Sequence, residues 1–132
     1  MNLTGLEALA DAIMHHEGWY PGSRANLNRN PGNLRPARAG DVVDALGFRV
    51  FPSLVDGYAA LLADLTIKVT GHSSHGLTPD STLNDLFDVY APRLDKNDPN
   101  AYAVAAAQWC TQALERLCTP DTTLRTLCAE LF

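Results

Sequence analysis

The chain has 132 residues, of which 46% are hydrophobic and 19% charged, and its formal net charge is −5. This length and composition fit one globular domain with a filled core, and they exclude a disordered chain. The acidic balance argues against a nucleic-acid partner, and the apolar runs are too short for membrane insertion.

The first predicted element is a helix over residues 3–16, where Leu6, Leu9 and Ile13 recur at helical spacing. Gly18 suits the left-handed position that follows a helix end, so the helix should stop just before it. Acidic residues interrupt this apolar stretch, which is therefore not a signal peptide. We expect synthesis in the cytoplasm without a leader.

Residues 21–40 should form loops, because proline, glycine and asparagine are frequent there. From residue 18 to residue 40 there are four arginines and no acid. Such a stretch suits an anionic partner or a solvated loop equally well. Residues 32–36 and 47–51 have the composition of short extended segments, which predicts a small antiparallel hairpin.

Four helices should follow this hairpin. Apolar residues at helical spacing after Ser53 predict a buried helix over residues 54–70. Asp98 as N-cap and Pro99 at the first position should begin an alanine-rich helix that another helix can approach closely. The predicted fold class is therefore α+β and mostly helical, with a small β-hairpin.

The other two helices are predicted from a local likeness. TPDSTLNDL (78–86) and TPDTTLRTL (119–127) share six of nine residues. Each should start a helix with threonine as N-cap and proline at the first helical position. The segments are too short to indicate a duplicated domain.

Three cysteines lie in the C-terminal third, at positions 110, 118 and 128. Their odd number, their helical surroundings and the lack of a nearby histidine favour buried thiols over a disulfide framework or a metal site.

Three segments then indicate a family: HEGWYPGSRANLNRNPGNLR (16–35), GFRVFPSLVDGYAAL (47–61) and YAPRLDKNDPNAY (90–102). In this order they resemble small phage-type members of the lysozyme superfamily. Those proteins are peptidoglycan-cleaving muramidases and lytic transglycosylases related to goose-type lysozyme. The likeness spans roughly residues 7–109, and the order of the motifs is more specific than any one of them.

The resemblance implies a single lysozyme-like catalytic domain over residues 1–132, with a cleft between the helical part and the hairpin. It implies cleavage of the β-1,4 bond between N-acetylmuramic acid and N-acetylglucosamine in bacterial peptidoglycan. It also implies that Glu17 is the catalytic acid.

The position of Glu17 suits that role on physical grounds. Breaking a glycosidic bond requires a proton on the leaving oxygen, so the acid must be protonated near neutral pH. The C-terminal end of a helix carries partial negative charge, which disfavours another anion. Burial against Trp19 or Tyr20 would act in the same direction.

A second carboxylate is harder to find. Asp44 and Asp41, at the edge of the predicted hairpin, are the candidates, although both residues also suit a plain turn. If neither reaches the cleft, a single glutamate favours a lytic transglycosylase, in which the sugar's own 6-hydroxyl attacks. We slightly prefer this reaction to hydrolysis by a muramidase.

Substrate contacts follow from the chemistry of the polymer and from the family motifs. Acetamido groups are matched by amide side chains, and stem-peptide carboxylates are matched by arginine. Each candidate also has a structural alternative: the asparagines can cap turns, and the tyrosines can pack in the core. The candidate substrate-binding residues are Asn30, Asn33, Arg35, Tyr90, Asn97 and Tyr102.

Two other classes of function compete with this one. A metal enzyme would need histidine ligands, and His72 with His75 is a possible pair in a polar loop. There is no HExxH motif, however, and adjacent His15 and His16 cannot both face one ion from a regular helix. We expect no metal and no cofactor. A non-catalytic peptidoglycan-binding module, or a phage structural module with the same fold, is the stronger alternative.

The expected partner is the peptidoglycan glycan strand, and we expect a monomer. The chain should act at the cell wall, in the periplasm or from a phage particle. A holin or a secretion machinery would have to bring it there.

Overall fold

The computed structural model describes residues 3–91 and 98–132. Within these ranges the chain forms six α-helices and one final 3₁₀ turn, Ala129–Leu131. The helices are α1 (Gly5–His16), α2 (Arg24–Leu27), α3 (Leu54–Val69), α4 (Leu83–Tyr90), α5 (Pro99–Leu114) and α6 (Leu124–Leu127).

The first helix ends as its sequence predicts. At its start, Thr4 and Glu7 form a reciprocal capping box, in which each side chain accepts the other residue's backbone N–H. At its end, Glu17 is the C-cap and Gly18 has a φ of +83°. Glycine adopts this conformation without the strain of a Cβ, so the chain leaves the helix directly after Glu17.

The two longest helices also begin where they were predicted. The Ser53 side chain accepts a hydrogen bond from the Asp56 N–H at the start of α3. Asp98 accepts one from the Ala101 N–H at the start of α5, with Pro99 at the first position. These caps satisfy N–H groups that have no partner within the helix.

The core lies where α1 packs against α3 and α5 and where α4 packs against α5. Buried Ala103, Ala106 and Ala107 line the inner face of α5. Small side chains there let the neighbouring helices approach closely. The largest fully buried core side chains are Phe87, Leu9, Ile13, Leu61, Leu65, Leu83, Leu86, Leu124 and Leu127. Among the described residues, no helix is both long enough and apolar enough to cross a bilayer.

The buried-thiol prediction is confirmed, because Cys110, Cys118 and Cys128 are all buried and free. Burial raises the pKa of Cys110 and of Cys128 to about 12. It also raises the pKa of Cys118. The thiols therefore stay protonated and unreactive at neutral pH.

The α+β prediction, with its β-hairpin, is wrong. The described residues contain no strand, and residues 42–50 form only an isolated antiparallel bridge between Val43 and Arg49. Around this bridge, the Asp44 N–H donates to the Phe48 carbonyl and the Val50 N–H donates to the Val42 carbonyl. Of the two segments predicted to pair, residues 47–51 reach residues 32–36 through the bond from the Arg49 N–H to the Leu34 carbonyl, while the Phe51 N–H donates to the Asn28 carbonyl. Such separate bonds do not form the continuous ladder of a hairpin.

The two TPD segments start helices four residues later than predicted. Thr78 and Thr119 open turns, and Thr82 and Thr123 are the N-caps of α4 and α6. The turn precedes the helix because the TPD residues hydrogen-bond locally: the Ser81 and Thr122 hydroxyls each accept from the N–H of the threonine that opens their segment.

The same two segments contact each other symmetrically, an arrangement that we call the TPD clasp. Leu83 N–H donates to the Thr122 carbonyl, and Leu124 N–H donates to the Ser81 carbonyl. The next residue of each segment makes an equivalent bond: the Asn84 N–H donates to the Pro120 carbonyl, and the Arg125 N–H donates to the Pro79 carbonyl. The likeness in sequence therefore corresponds to a local two-fold contact.

Candidate active site

Glu17 is partly buried at the C-terminal end of α1, where two side chains from distant segments donate to its carboxylate. Asn33 Nδ2 lies 2.9 Å from Glu17 Oε2, and Tyr102 Oη lies 3.0 Å from Glu17 Oε1. These residues follow Glu17 by 16 and 85 positions. Each carboxylate oxygen keeps a second lone-pair direction, which can hold a proton or meet a substrate.

Tyr102 is fixed in place by packing. It lies in the first turn of α5, is 2% exposed, and stacks on Phe87 with ring centroids 4.3 Å apart. Burial, together with nearby Glu17, raises the pKa of Tyr102 far above its usual value, so its hydroxyl donates to Glu17.

His16 completes this aromatic stack, with its ring centroid 3.7 Å from that of Tyr102. Burial lowers the pKa of His16, although the neighbouring Glu17 carboxylate opposes the shift. The imidazole is therefore neutral at pH 7. Tyr20, by contrast, is 61% exposed, and Trp19 lines a hollow with Met14 and Trp109. The rings around Glu17 thus come from α5 and α1 and not from the residues that follow it.

Asn33 has a left-handed backbone conformation, which asparagine adopts more readily than most residues with a side chain. It closes a turn in which its N–H donates to the Asn30 carbonyl at 3.0 Å, and its φ is +48°. Its Oδ1 atom is buried without a donor among the described residues. Tyr90 Oη donates to the Gly32 carbonyl at 2.6 Å and fixes the same turn. Buried polar atoms without a partner are uncommon in folded proteins, and a functional role is one of the explanations for them.

Asn30 lies at the centre of the loop that carries Asn33. It is fully buried, its Nδ2 donates to the carbonyls of Leu34 and Arg49, and its Oδ1 accepts from the Leu34 N–H. These three bonds use most of the hydrogen-bonding capacity of the amide. Asn30 therefore shapes the loop, and its side chain is not free to meet a substrate.

Asp44 and Asp41 both organise turns. Asp44 accepts from Asn28 Nδ2 at 2.9 Å and from the N–H groups of Leu46 and Phe48. The Asn28 bond is the main reason why the pKa of Asp44 is lowered. Asp41 accepts from the Ala37 N–H at 2.8 Å, which is the main reason for its lowered pKa.

Asp44 should make folding stability depend on pH in a defined direction. Its folded pKa lies below the usual value of 3.8, so the ionised carboxylate stabilises the fold fully above that value. The contribution is lost as the pH falls through the lowered pKa. We therefore expect Asp44→Asn to be less stable than wild type at pH 7, with the difference shrinking below about pH 4.

Urea unfolding of both proteins between pH 2 and pH 7 measures this difference. Asp88→Asn, on the exposed side of α4, is the matched control and should follow the wild type at every pH. A gap for Asp44→Asn that stays constant down to pH 2 would contradict the assignment.

The remaining candidates lie around this site. Arg35 is exposed, its guanidinium stacks over the Phe48 ring at 3.9 Å, and Nη1 donates to the Leu46 carbonyl. Asn97 lies outside the described residues. The sequence pattern did not indicate a role for Lys68, although its i,i+4 spacing from Asp64 on α3 is typical of an ion pair. Nor did it indicate the stacking of His16 on Tyr102.

No family model, no curated protein and no solved structure matches this chain. The resemblance to phage-type muramidases and lytic transglycosylases therefore stays a prediction from the motifs quoted above. Within residues 3–91 and 98–132, no group of three or more histidine, cysteine, aspartate or glutamate side chains converges on a possible metal position.

Proposed function

We propose that this chain cleaves the β-1,4 bond between N-acetylmuramic acid and N-acetylglucosamine in bacterial peptidoglycan, with Glu17 as the general acid. The observation that supports this most directly is the fixed Glu17 carboxyl group, held by Asn33 and Tyr102. A positioned carboxylic acid is the group that a glycosidic leaving oxygen requires. The buried Asn33 Oδ1, which has no donor among the described residues, supports a functional role for the same place.

Transglycosylation is our preferred reaction. Asp41 and Asp44 use their carboxylates in turns, which supports a mechanism with one carboxyl group. Glu17 gives its proton to the glycosidic oxygen, and the bond to C1 of the muramic acid breaks. The Glu17 carboxylate then takes the proton of the sugar's 6-hydroxyl, whose oxygen bonds to C1. The product is a 1,6-anhydro end, and Glu17 is again protonated.

A chain that cleaves peptidoglycan would act at the cell wall.

Digestion of purified peptidoglycan in ¹⁸O-labelled water, followed by mass spectrometry of the products, tests the reaction. We expect unlabelled 1,6-anhydro ends. An ¹⁸O label at new reducing ends would show that the reaction is hydrolysis and not transglycosylation. The assignment of peptidoglycan as substrate would still hold. No cleavage of several wall types, with the glycan still bound, would overturn the catalytic proposal in favour of a binding module.

A further inference from the structure

Both tryptophans of the chain line one hollow on the outside of the helices, which we call the tryptophan hollow. Trp109 belongs to α5, whereas Trp19 follows the end of α1, so the two rings come from segments that are distant in sequence. The other lining residues lie on α1 and are Asp11, Met14 and His15. The volume of about 250 Å³ is smaller than that of pockets for drug-sized ligands, so the hollow suits a small group.

The Trp109 ring is held in place and remains accessible. Trp109 is 38% exposed, although tryptophan is highly buried on average. The His15 imidazole stacks on it, with ring centroids 4.6 Å apart and planes inclined by 26°. Met14 adds a polarisable thioether to the same wall. The hollow therefore offers aromatic and soft apolar surface to a ligand from solvent.

Asp11 is the only acidic residue of this lining, and no described lysine or arginine lines the hollow. Tyr58 Oη donates to Asp11 Oδ1 at 2.7 Å and orients the carboxylate. Burial, together with this bond, raises the pKa of Tyr58, so its hydroxyl stays a donor. Among the described residues, no basic side chain forms an ion pair with Asp11. Its negative charge is thus available to a cationic ligand.

We infer that the tryptophan hollow binds a small quaternary ammonium ion, of which the trimethylammonium group of choline is the model. The face of an indole ring attracts cations, and sites built from aromatic rings recognise methylated ammonium groups. The methyl groups would contact the two rings and Met14, and the positive charge would lie near the Asp11 carboxylate. A quaternary ammonium has no N–H, so it needs no hydrogen-bond acceptor beyond this charge.

Other ligands fit the lining less well. A metal ion would find one carboxylate and one imidazole, which is fewer than the three or four protein ligands of typical sites. A sugar would need amide or hydroxyl partners, and no described amide or hydroxyl side chain lines the hollow. An apolar molecule would leave the Asp11 carboxylate without a counter-charge.

Choline and 3,3-dimethyl-1-butanol test the inference, because the alcohol has the shape of choline with carbon in place of the charged nitrogen. NMR titration follows the indole N–H signals, and the chain has only two tryptophans to give them. We expect both signals to shift with a single Kd for choline. Choline should bind the wild type about tenfold more tightly than the alcohol.

Two variants assign the preference to the hollow. Asp11→Asn keeps the size of the side chain and an oxygen for Tyr58, but it removes the charge, so the ratio of the two affinities should fall towards one. Trp109→Leu keeps an apolar side chain and removes the ring, so choline should bind about tenfold more weakly, as reported by the Trp19 signal. Unfolding in urea at the wild-type midpoint checks that each variant is folded.

Asp88→Asn and Tyr20→Leu are the matched controls, because both residues are exposed and outside the lining. Both variants should bind choline like the wild type. Equal binding of choline and the alcohol by the wild type would overturn the inference, as would a ratio that Asp11→Asn leaves unchanged. Binding of neither ligand would overturn it as well.

The source of the ammonium group and the independence of the site can be measured with the same titration. Phosphatidylcholine vesicles that compete with choline would identify a lipid head group as the ligand, and vesicles without effect would identify a free solute. Glu17 does not line the hollow, so Glu17→Gln should bind choline like the wild type. Loss of choline binding in that variant would overturn the assignment of a separate site.

Discussion

Glu17→Gln should lose about a thousandfold in kcat on purified peptidoglycan, within the range typical for removal of a general acid. The amide has the size of the carboxyl group, and its oxygen can still accept from Asn33 or Tyr102. It has no proton to give to the leaving oxygen. The loss should therefore appear in kcat, with binding of the glycan little changed. Release of soluble fragments, measured with enzyme in excess over wall, gives the rate.

Two further variants make this result specific. Glu115→Gln makes the same chemical change at an exposed residue that ends α5, and it should cleave like the wild type. Tyr102→Phe removes one of the two donors to Glu17 and should reduce kcat less, by about tenfold. If Glu17→Gln unfolds at the same urea concentration as wild type and still cleaves at the wild-type rate, Glu17 is not the acid.

Asn30→Ala should have the largest effect on stability, about 4 kcal/mol of the free energy of unfolding. The substitution removes three hydrogen bonds of a buried side chain, and it leaves the Arg49 carbonyl and the Leu34 N–H without a partner, whereas the Leu34 carbonyl keeps the Arg49 N–H. Each such group costs about 1–3 kcal/mol when buried. Asn30→Asp should cost at least as much at pH 7, because a carboxylate oxygen would then face the carbonyls of Leu34 and Arg49.

Urea denaturation at pH 7 measures both variants. Asn100→Ala is the control: Asn100 is exposed and its side chain donates one bond, to Asn84. It should change stability by less than about 0.5 kcal/mol. An Asn30→Ala protein as stable as this control would show that the loop finds other partners for its backbone groups.

The long helices could be predicted from sequence because their signals are local. Ser53, Asp98 with Pro99, and Gly18 each act through hydrogen bonds or backbone angles within a few residues. The hairpin could not be judged in this way. The backbone groups of residues 48–51 divide their hydrogen bonds among Leu34, Asn28 and residues 42–44, and these partners lie in segments that are separate in sequence. Propensity for extended structure does not decide between those partners.

The candidate site, too, could be predicted from the sequence only in part. Asn33, Tyr102 and Glu17 were singled out from motifs, and the structure brings the three side chains into contact. Motifs alone did not distinguish Asn33, which meets Glu17, from Asn30, which holds the loop from inside. Both residues flank Pro31-Gly32, and only the three-dimensional course of the loop separates their roles.

The hydrogen bonds in and across the TPD clasp show which of the residues shared by the two segments have a structural role. Four bonds across it join backbone groups and place no demand on the side chains, whereas the Arg125 side chain adds an ion pair with Asp80 at 3.1 Å from one segment alone. The hydroxyl that closes each turn is required, and serine at one copy and threonine at the other both supply it. The matching residues build the same turn and the same helix cap on both sides of the local two-fold contact. A likeness confined to nine residues is thus accounted for by one local structure used twice, without a duplicated domain.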